Sequence, residues 1–506
     1  MSNKAKSEEV RPASSTAGEV DVLKPEIHEE KLAKRYSPLS VIAFAFTTTN
    51  SWVAFSSTLA APLICGGSPT LIYGLIGGGI IMSIIGIGFA ELASAFPSAG
   101  GQYHIVYMVF PPSLRRGAAF FAGWLSIIYI AAALASCNIF VSNSILYLVS
   151  IWESSYEIQA WHTYLLHIAL CVAAFFATSR FPGAIGRIGI AVFWLSLIGF
   201  VASMAAILSV SKTKQTSSFV FKDFQNVSGW NDGWSVVLGI TGCLWAYSGV
   251  DAATHVAEEV KNPSRTVPTA IFLSLGLGII TVVAWNIAIM FSITDLDALL
   301  SSEVAVLEVY SQALNNKAAV TIFGVYYIVM FYTIVLNLFI FGGRTFWSLS
   351  RDGGVPYSKY FVHLQWASPV RATFVMLVLE IVLGVLYVAS TTAYNSFVNL
   401  TLFALNITVA MPQACLLFRG RACLPERAFS LGKYGFIVNA LATLSVIFFS
   451  ITFSFPPEMP VTGSSMNYLI VVMAVGVVFI AAIWWGDFAR HSQVLLAATC
   501  MDLITE

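Results

Sequence analysis

Charge is what this sequence has least of. Only 10% of its 506 residues are charged, and 26 basic residues cancel 26 acidic ones. A soluble chain carries about a quarter charged residues. Zero net charge leaves no basic footprint for a polyanion, so no nucleic-acid partner is expected. The seven cysteines are odd in number and never take a CxxC spacing, which argues against a disulfide framework or a metal site. No HExxH or GxSxG is present, so no catalytic centre and no cofactor are expected. No cleavable signal opens the chain, and the first apolar helix must therefore direct insertion itself.

What replaces charge is apolar length. Residues are 57% hydrophobic with a mean hydropathy of +0.78, gathered into runs of roughly twenty. That is the length a helix needs to cross a hydrocarbon core of about 30 Å. The reading is an all-α integral membrane protein with twelve spans, near 38–65, 70–96, 117–149, 161–179, 185–210, 235–258, 267–291, 318–345, 370–389, 396–418, 435–455 and 466–486. Residues 117–149 are long for one crossing and should tilt or protrude. Residues 1–36 and 487–506 read as cytosolic tails flanking a membrane domain at 37–486, the first of them disordered. With the amino terminus inside, the inner loops carry Arg115, Arg116, Arg180, Arg187, Arg344, Arg351, Arg419, Arg421 and Lys433. The outer loops hold only Lys212, Lys214, Lys222 and Lys317. The sequon Asn226-Val227-Ser228 falls in an outer loop, making Asn226 a candidate glycosylation site.

Two spans carry signs of interruption. The first holds Thr47-Thr48-Thr49-Asn50-Ser51-Trp52, six residues of low helix propensity. The sixth holds Trp245-Ala246-Tyr247-Ser248-Gly249-Val250-Asp251, with Ser248 or Asp251 available to cap a restarting helix. Small residues can also simply let helices approach, as Gly77, Gly78, Gly79, Gly86 and Gly88 are expected to do in span two. Yet the two interruptions occupy matching places, each opening a five-span half, and paired breaks of this kind point to a solute site at the midplane.

Several stretches resemble one family. Glu91 to His104 (ELASAFPSAGGQYH), Asp251 to Pro263 (DAATHVAEEVKNP), Arg351 to Pro356 (RDGGVP), Asn50-Ser51-Trp52 and Ser454 to Pro457 (SFPP) resemble the fungal amino acid/choline transporter branch of the amino acid–polyamine–organocation permeases. The resemblance covers about residues 37–486 in order. It implies a LeuT-type fold: two inverted five-helix repeats, about 38–210 and 235–418, discontinuous helices 1 and 6, and two added helices at about 435–486. It also implies uptake of a small amino acid or amine, choline and GABA among them, commonly driven by protons. The plasma membrane is its default address and the vacuole the alternative. Carried over by position, Trp245 covers the substrate, Tyr247, Ser248 and Gly249 form the unwound part of helix 6, and Thr48, Thr49, Asn50, Ser51 and Trp52 that of helix 1. The G-x-G of many amino acid permeases is missing here, which weakens a carboxylate cradle. An amine held in a cation–π cage of Trp52, Trp245 and Tyr247 is one reading, and ordinary packing of these rings is the other.

Ionisable residues at depth are functional candidates. Asp251 and His255, four apart, read either as a proton-coupling pair or as a cap and a bundle hydrogen bond. Glu258 and Glu259 read as a solvated helix end, with an inner-gate ion pair to Arg344 or Arg351 as the alternative; Glu91 reads the same way. Glu380 is assigned a structural or oligomer-contact role over coupling, and His104 an inner-loop position. Helix 8 lacks the Ser/Thr pair a sodium site wants, which favours proton coupling or facilitated exchange over sodium symport. A nutrient receptor with the same fold is the competing function class.

Overall fold

The computed structural model describes residues 34–488 apart from 367, 464 and 465, so most of both expected tails lies outside it. Among the described residues there is no strand, only the single bridges Tyr36–Val260 and Gln365–Ser368. The helices are α1 (Pro38–Thr49), α2 (Ser51–Ala54), α3 (Ala60–Ile64), α4 (Gly67–Ala95), α5 (Gln102–Val109), α6 (Arg115–Trp152), α7 (Ala160–Arg180), α8 (Pro182–Val210), α9 (Ser217–Phe221), α10 (Asp232–Cys243), α11 (Pro263–Ser292), α12 (Leu296–Ser301), α13 (Ala305–Leu314), α14 (Lys317–Arg351), α15 (Ser358–Phe361), α16 (Val370–Ala389), α17 (Thr391–Arg419), α18 (Gly435–Thr452) and α19 (Leu469–Ile483).

Among the described residues, eleven helical stretches are long and apolar enough to cross a membrane. The expected sixth span is not among them because it is broken: α10 stops at Cys243, and its continuation runs through 3-10 turns and loop to Glu259. The end where Arg35 and Tyr36 lie is called proximal below, and the opposite end distal. Two expectations need correction at this level. His104 sits inside α5 rather than in a loop, and Gly77 faces open space while its neighbours pack. The 38 residues of α6 span about 57 Å, more than a hydrocarbon core of about 30 Å requires.

Small residues set the close contacts. A Cβ on Gly79 would stand 2.9 Å from the Tyr247 hydroxyl, and one on Gly86 3.0 Å from Val250. Thus α4 lies directly against the broken segment. On the other side α11 packs on α1 and α2.

Local chemistry starts and stops α1. Pro38 takes its first turn, and the Ser37 hydroxyl accepts the Ser40 amide at 3.2 Å. At the far end Thr47, Thr48 and Thr49 turn their hydroxyls back onto the carbonyls of Ala43, Phe44 and Ala45. Such back-bonding bends helices, and the next residue, Asn50, leaves the helical region at φ 29°. The interruption of span 1 is therefore one residue, narrower than the stretch from Thr48 to Trp52 that was expected; Ser51 and Trp52 already belong to α2.

Ser51 fills the space over Gly278, whose hypothetical Cβ would stand 2.4 Å from the Ser51 hydroxyl. Gly278→Ala is expected to overpack this contact by about 1–3 kcal/mol and lower the melting temperature in detergent. Ser51→Gly in the same chain should recover most of the loss. Recovery failing while Gly278→Ala alone is destabilised would show that α11 does not hold the interruption in place through this contact.

Candidate functional site

The two interruptions meet. Gly249, at φ 91°, lies so close to α1 that a Cβ there would stand 3.6 Å from both Thr48 and Thr49. The carbonyls of Thr47, Thr48 and Thr49 belong to the last turn of α1, where helix carbonyls lack partners within the helix, and no described backbone carbonyl takes the N–H groups of Gly249, Val250 and Asp251. Ser248 and Gly249 keep partial exposure while the residues around them are buried.

Each predicted site residue has a definite place. Asn50 accepts from the Ser196 hydroxyl at 3.0 Å, and Ser196 accepts from the Trp52 indole at 3.1 Å, a chain that fixes the bend. Trp52 packs edge-on against Trp285 and Phe200. The Tyr247 hydroxyl donates to the Leu75 carbonyl at 2.6 Å, toward α4. Trp245 donates its indole N–H to the Ala54 carbonyl at 3.2 Å and to Ser57 at 3.1 Å, clamping broken segment to broken segment. The three rings point in three directions, so the structure does not bring Trp52, Trp245 and Tyr247 together as a cage. Trp245 lines a distal cavity of about 310 Å³ whose wall includes Ser57, Thr58, Thr241, Asn399 and Phe453.

Below the meeting point lies a buried polar knot. Asp251 Oδ2 accepts from the Gln102 amide, from the Tyr129 hydroxyl and, at 2.9 Å, contacts His255 Nε2. The His255 ring stacks on Phe341, and its Nδ1 lies 2.8 Å from Thr345 Oγ1. The pair forms across turns and 3-10 geometry, not on an α-helical face, and neither Ser248 nor Asp251 caps a helix with its side chain. Gly101, at φ 53°, leaves room for this ring: a Cβ would stand 3.0 Å from His255 Cε1. Gln102 was visible as part of a quoted stretch but had no assigned role, and nothing in the sequence marks Tyr129 or Thr345.

The proximal end is closed by ion pairs, which corrects the reading of a solvated helix end. Arg351 grips Glu258 with two parallel bonds at 2.9 and 3.0 Å, and Glu258 also accepts from Ala99 N and Ser98 Oγ. Arg344 binds Glu259, both almost wholly buried. The Tyr103 hydroxyl reaches Ser348 at 2.7 Å and Asp352 at 3.0 Å. Burial holds the Asp352 carboxyl above its ordinary range against the pull of Arg351. Three separate quoted stretches (FPSAGGQY, EE and RDGG) therefore form one layer. The Arg35 and Tyr36 amides both donate to the Glu259 carbonyl, which joins the layer to the start of α1.

Glu91 belongs elsewhere. It is fully buried, receives Arg421, Arg427 and the Leu431 amide, and ties α4 to the segment after α17. Glu380 faces inward between α7 and α16, not outward to another subunit. The Asn226 amide donates to the Trp230 carbonyl and Asp232 while its oxygen accepts from Ser228 and Ser235, and Ser228 is buried. A sugar on Asn226 would have to displace these bonds, so the folded loop does not present the sequon.

Comparison with known proteins gives a consistent family. Residues 36–477 match the model of the amino acid permease family. The chain is 32% identical to a choline transporter of Saccharomyces cerevisiae over 90% of its own length and 82% of the relative's. It is 28% identical to amino-acid permease 2 of Neurospora crassa, covering 90% and 85% of the two chains, and 25% identical to a swainsonine transporter of Arthroderma benhamiae, covering 93% and 94%.

The two ion pairs differ in burial and should differ in consequence. Glu259→Gln strands a buried guanidinium, a change that costs about 3–5 kcal/mol, and is expected to cut folded yield sharply. Glu258→Gln breaks a half-exposed pair and should leave the fold intact. It should instead make a cysteine placed at Ser98 several-fold more reactive toward a maleimide applied from the proximal side. Equal melting temperatures for the two variants would contradict the division.

Proposed function

The chain belongs to the amino acid permease family, and we propose that it is a secondary active transporter carrying a small amino acid or amine, such as choline or GABA, by alternating access with proton coupling. The supporting observation is the contact between interrupted segments at Gly249 and Thr48–Thr49, set between a distal cavity and a proximal layer of ion pairs. Carbonyls at the end of α1 suit an ammonium group, and amides of the broken segment suit a carboxylate. A zwitterion can use both, and a quaternary amine only the first. The relative named as a choline transporter supports including amines. Trp245 lines the distal cavity and is bonded to the Ala54 carbonyl, linking that cavity to the first interrupted span.

The proton reading rests on the Asp251–His255 contact: Nε2 lies 2.9 Å from Oδ2, and a proton placed between them is shared by base and carboxylate. Asp251 moves with the broken segment, whereas Tyr129 and Thr345 belong to α6 and α14. Loading or releasing that proton alters the bonds between the two sets of helices. In the proposed arrangement both termini are cytosolic, twelve crossings form two inverted repeats plus two added helices, and the plasma membrane is the site of action, with the vacuole as the alternative.

Uptake of labelled choline and GABA into a permease-deficient host, at acid and neutral external pH, tests this directly. Accumulation should be greater at acid pH. Asp251→Asn should flatten that dependence and lower uptake by about tenfold, the change that 1.4 kcal/mol in one step produces. Binding without accumulation would replace the transporter with a receptor, and an unaltered pH profile in Asp251→Asn would remove the Asp251–His255 pair from coupling.

A further inference from the structure

Away from the interruptions, three side chains of different chemistry converge inside the bundle. His167 and Cys171, one turn apart on α7, face Glu380 on α16, and all three are buried. One ligand atom from each lies within 4.8 Å of the others. Cys171 Sγ is 3.6 Å and Glu380 Oε1 3.9 Å from His167 Nε2. Tetrahedral zinc with bonds of 2.0–2.3 Å sets neighbouring ligand atoms about 3.3–3.8 Å apart, so these separations need little adjustment.

The carboxylate supplies the second observation. Neither oxygen of Glu380 makes a well-directed hydrogen bond, although the residue has no exposed surface; the Cys171 thiol lies close enough to contact it. An ionised carboxylate left like this at membrane depth is costly. We propose that His167, Cys171 and Glu380 form a site for a zinc-like divalent transition metal that staples α7 to α16. The charges close: a dication, a thiolate, a carboxylate and a neutral imidazole sum to zero, leaving no net charge in the apolar interior. Binding expels the thiol proton and any proton on Glu380. The thiolate and imidazole select against calcium and magnesium, which take oxygen ligands.

Surrounding groups fit the role. Gly384 of α16 makes room for the ring, since a Cβ there would stand 2.7 Å from His167 Nε2. That nitrogen now lies 3.2 Å from the Glu380 carbonyl. The Asn138 amide donates toward Cys171 Sγ at 2.9 Å and to the His167 carbonyl at 3.1 Å, and it lies 3.1 Å from His167 Nδ1. A donor beside the sulfur favours its thiolate form, the support that groups around a metal's ligands commonly give. Because the cluster is enclosed, the ion enters while α7 and α16 are assembling.

Full-length protein in lipid nanodiscs, grown with zinc and then desalted, should retain about one zinc per chain by elemental analysis. Cys171→Ser and Glu380→Gln should lose most of it. Cys137→Ser, a buried neighbour outside the cluster, should keep it and so controls for folding. Growth with cobalt should give a thiolate-to-cobalt charge-transfer band in the parent chain and none in Cys171→Ser. Folded parent chain without metal, or metal retained through both substitutions, overturns the proposal.

Discussion

Hydrocarbon offers no hydrogen-bond partner, and every unpaired backbone group at depth costs several kcal/mol. The rest of this architecture answers to that constraint. Across its long helices the backbone is satisfied internally, and the threonines of α1 add further bonds to carbonyls above them. Exceptions include the N–H groups of Gly249, Val250 and Asp251, beside the end of α1. In the transporter proposed above, this is where a polar solute is received.

Polar side chains sort by the same rule into layers of different stake. The Asp251 knot and the Arg344–Glu259 pair are sealed from solvent, so each member depends on its partners and the geometry is held tightly. The Arg351–Glu258 pair is half open, and water can replace either partner. If the bundle opens at this end, as proposed above, the bonds of the second kind are the ones that yield, with bonds of the first kind just beneath. Glu91 with Arg421 and Arg427 performs a separate task, fastening α4 to the far half of the chain.

Most of the fold was legible from apolar length, because a crossing helix needs little beyond about twenty suitable residues. The interruptions were legible as well, through glycine, hydroxyl and amide residues set among aliphatics. What pattern could not reveal was direction. Trp52, Trp245 and Tyr247 look equivalent in sequence, yet a one-residue bend at Asn50 sends the first toward α8 and α11, and the Gly249 turn sends the last toward α4. Tyr129 lies in the middle of an unremarked apolar run and becomes a partner of Asp251 only through tertiary packing. The carboxylates were similarly ambiguous. Nothing local distinguishes Glu258 in a half-buried ion pair from Glu91 in a fully buried clamp, since the arginines that pair with them come from remote parts of the chain.

The bonds from Arg35 and Tyr36 to the Glu259 carbonyl have a mechanical corollary. They sew the residues leading into the first crossing onto the rim of the sixth, with no slack segment between. A pull on Arg35 would therefore be delivered straight to the broken sixth segment. If that segment moves as proposed above, the entry to the first crossing acts on it as a bridle.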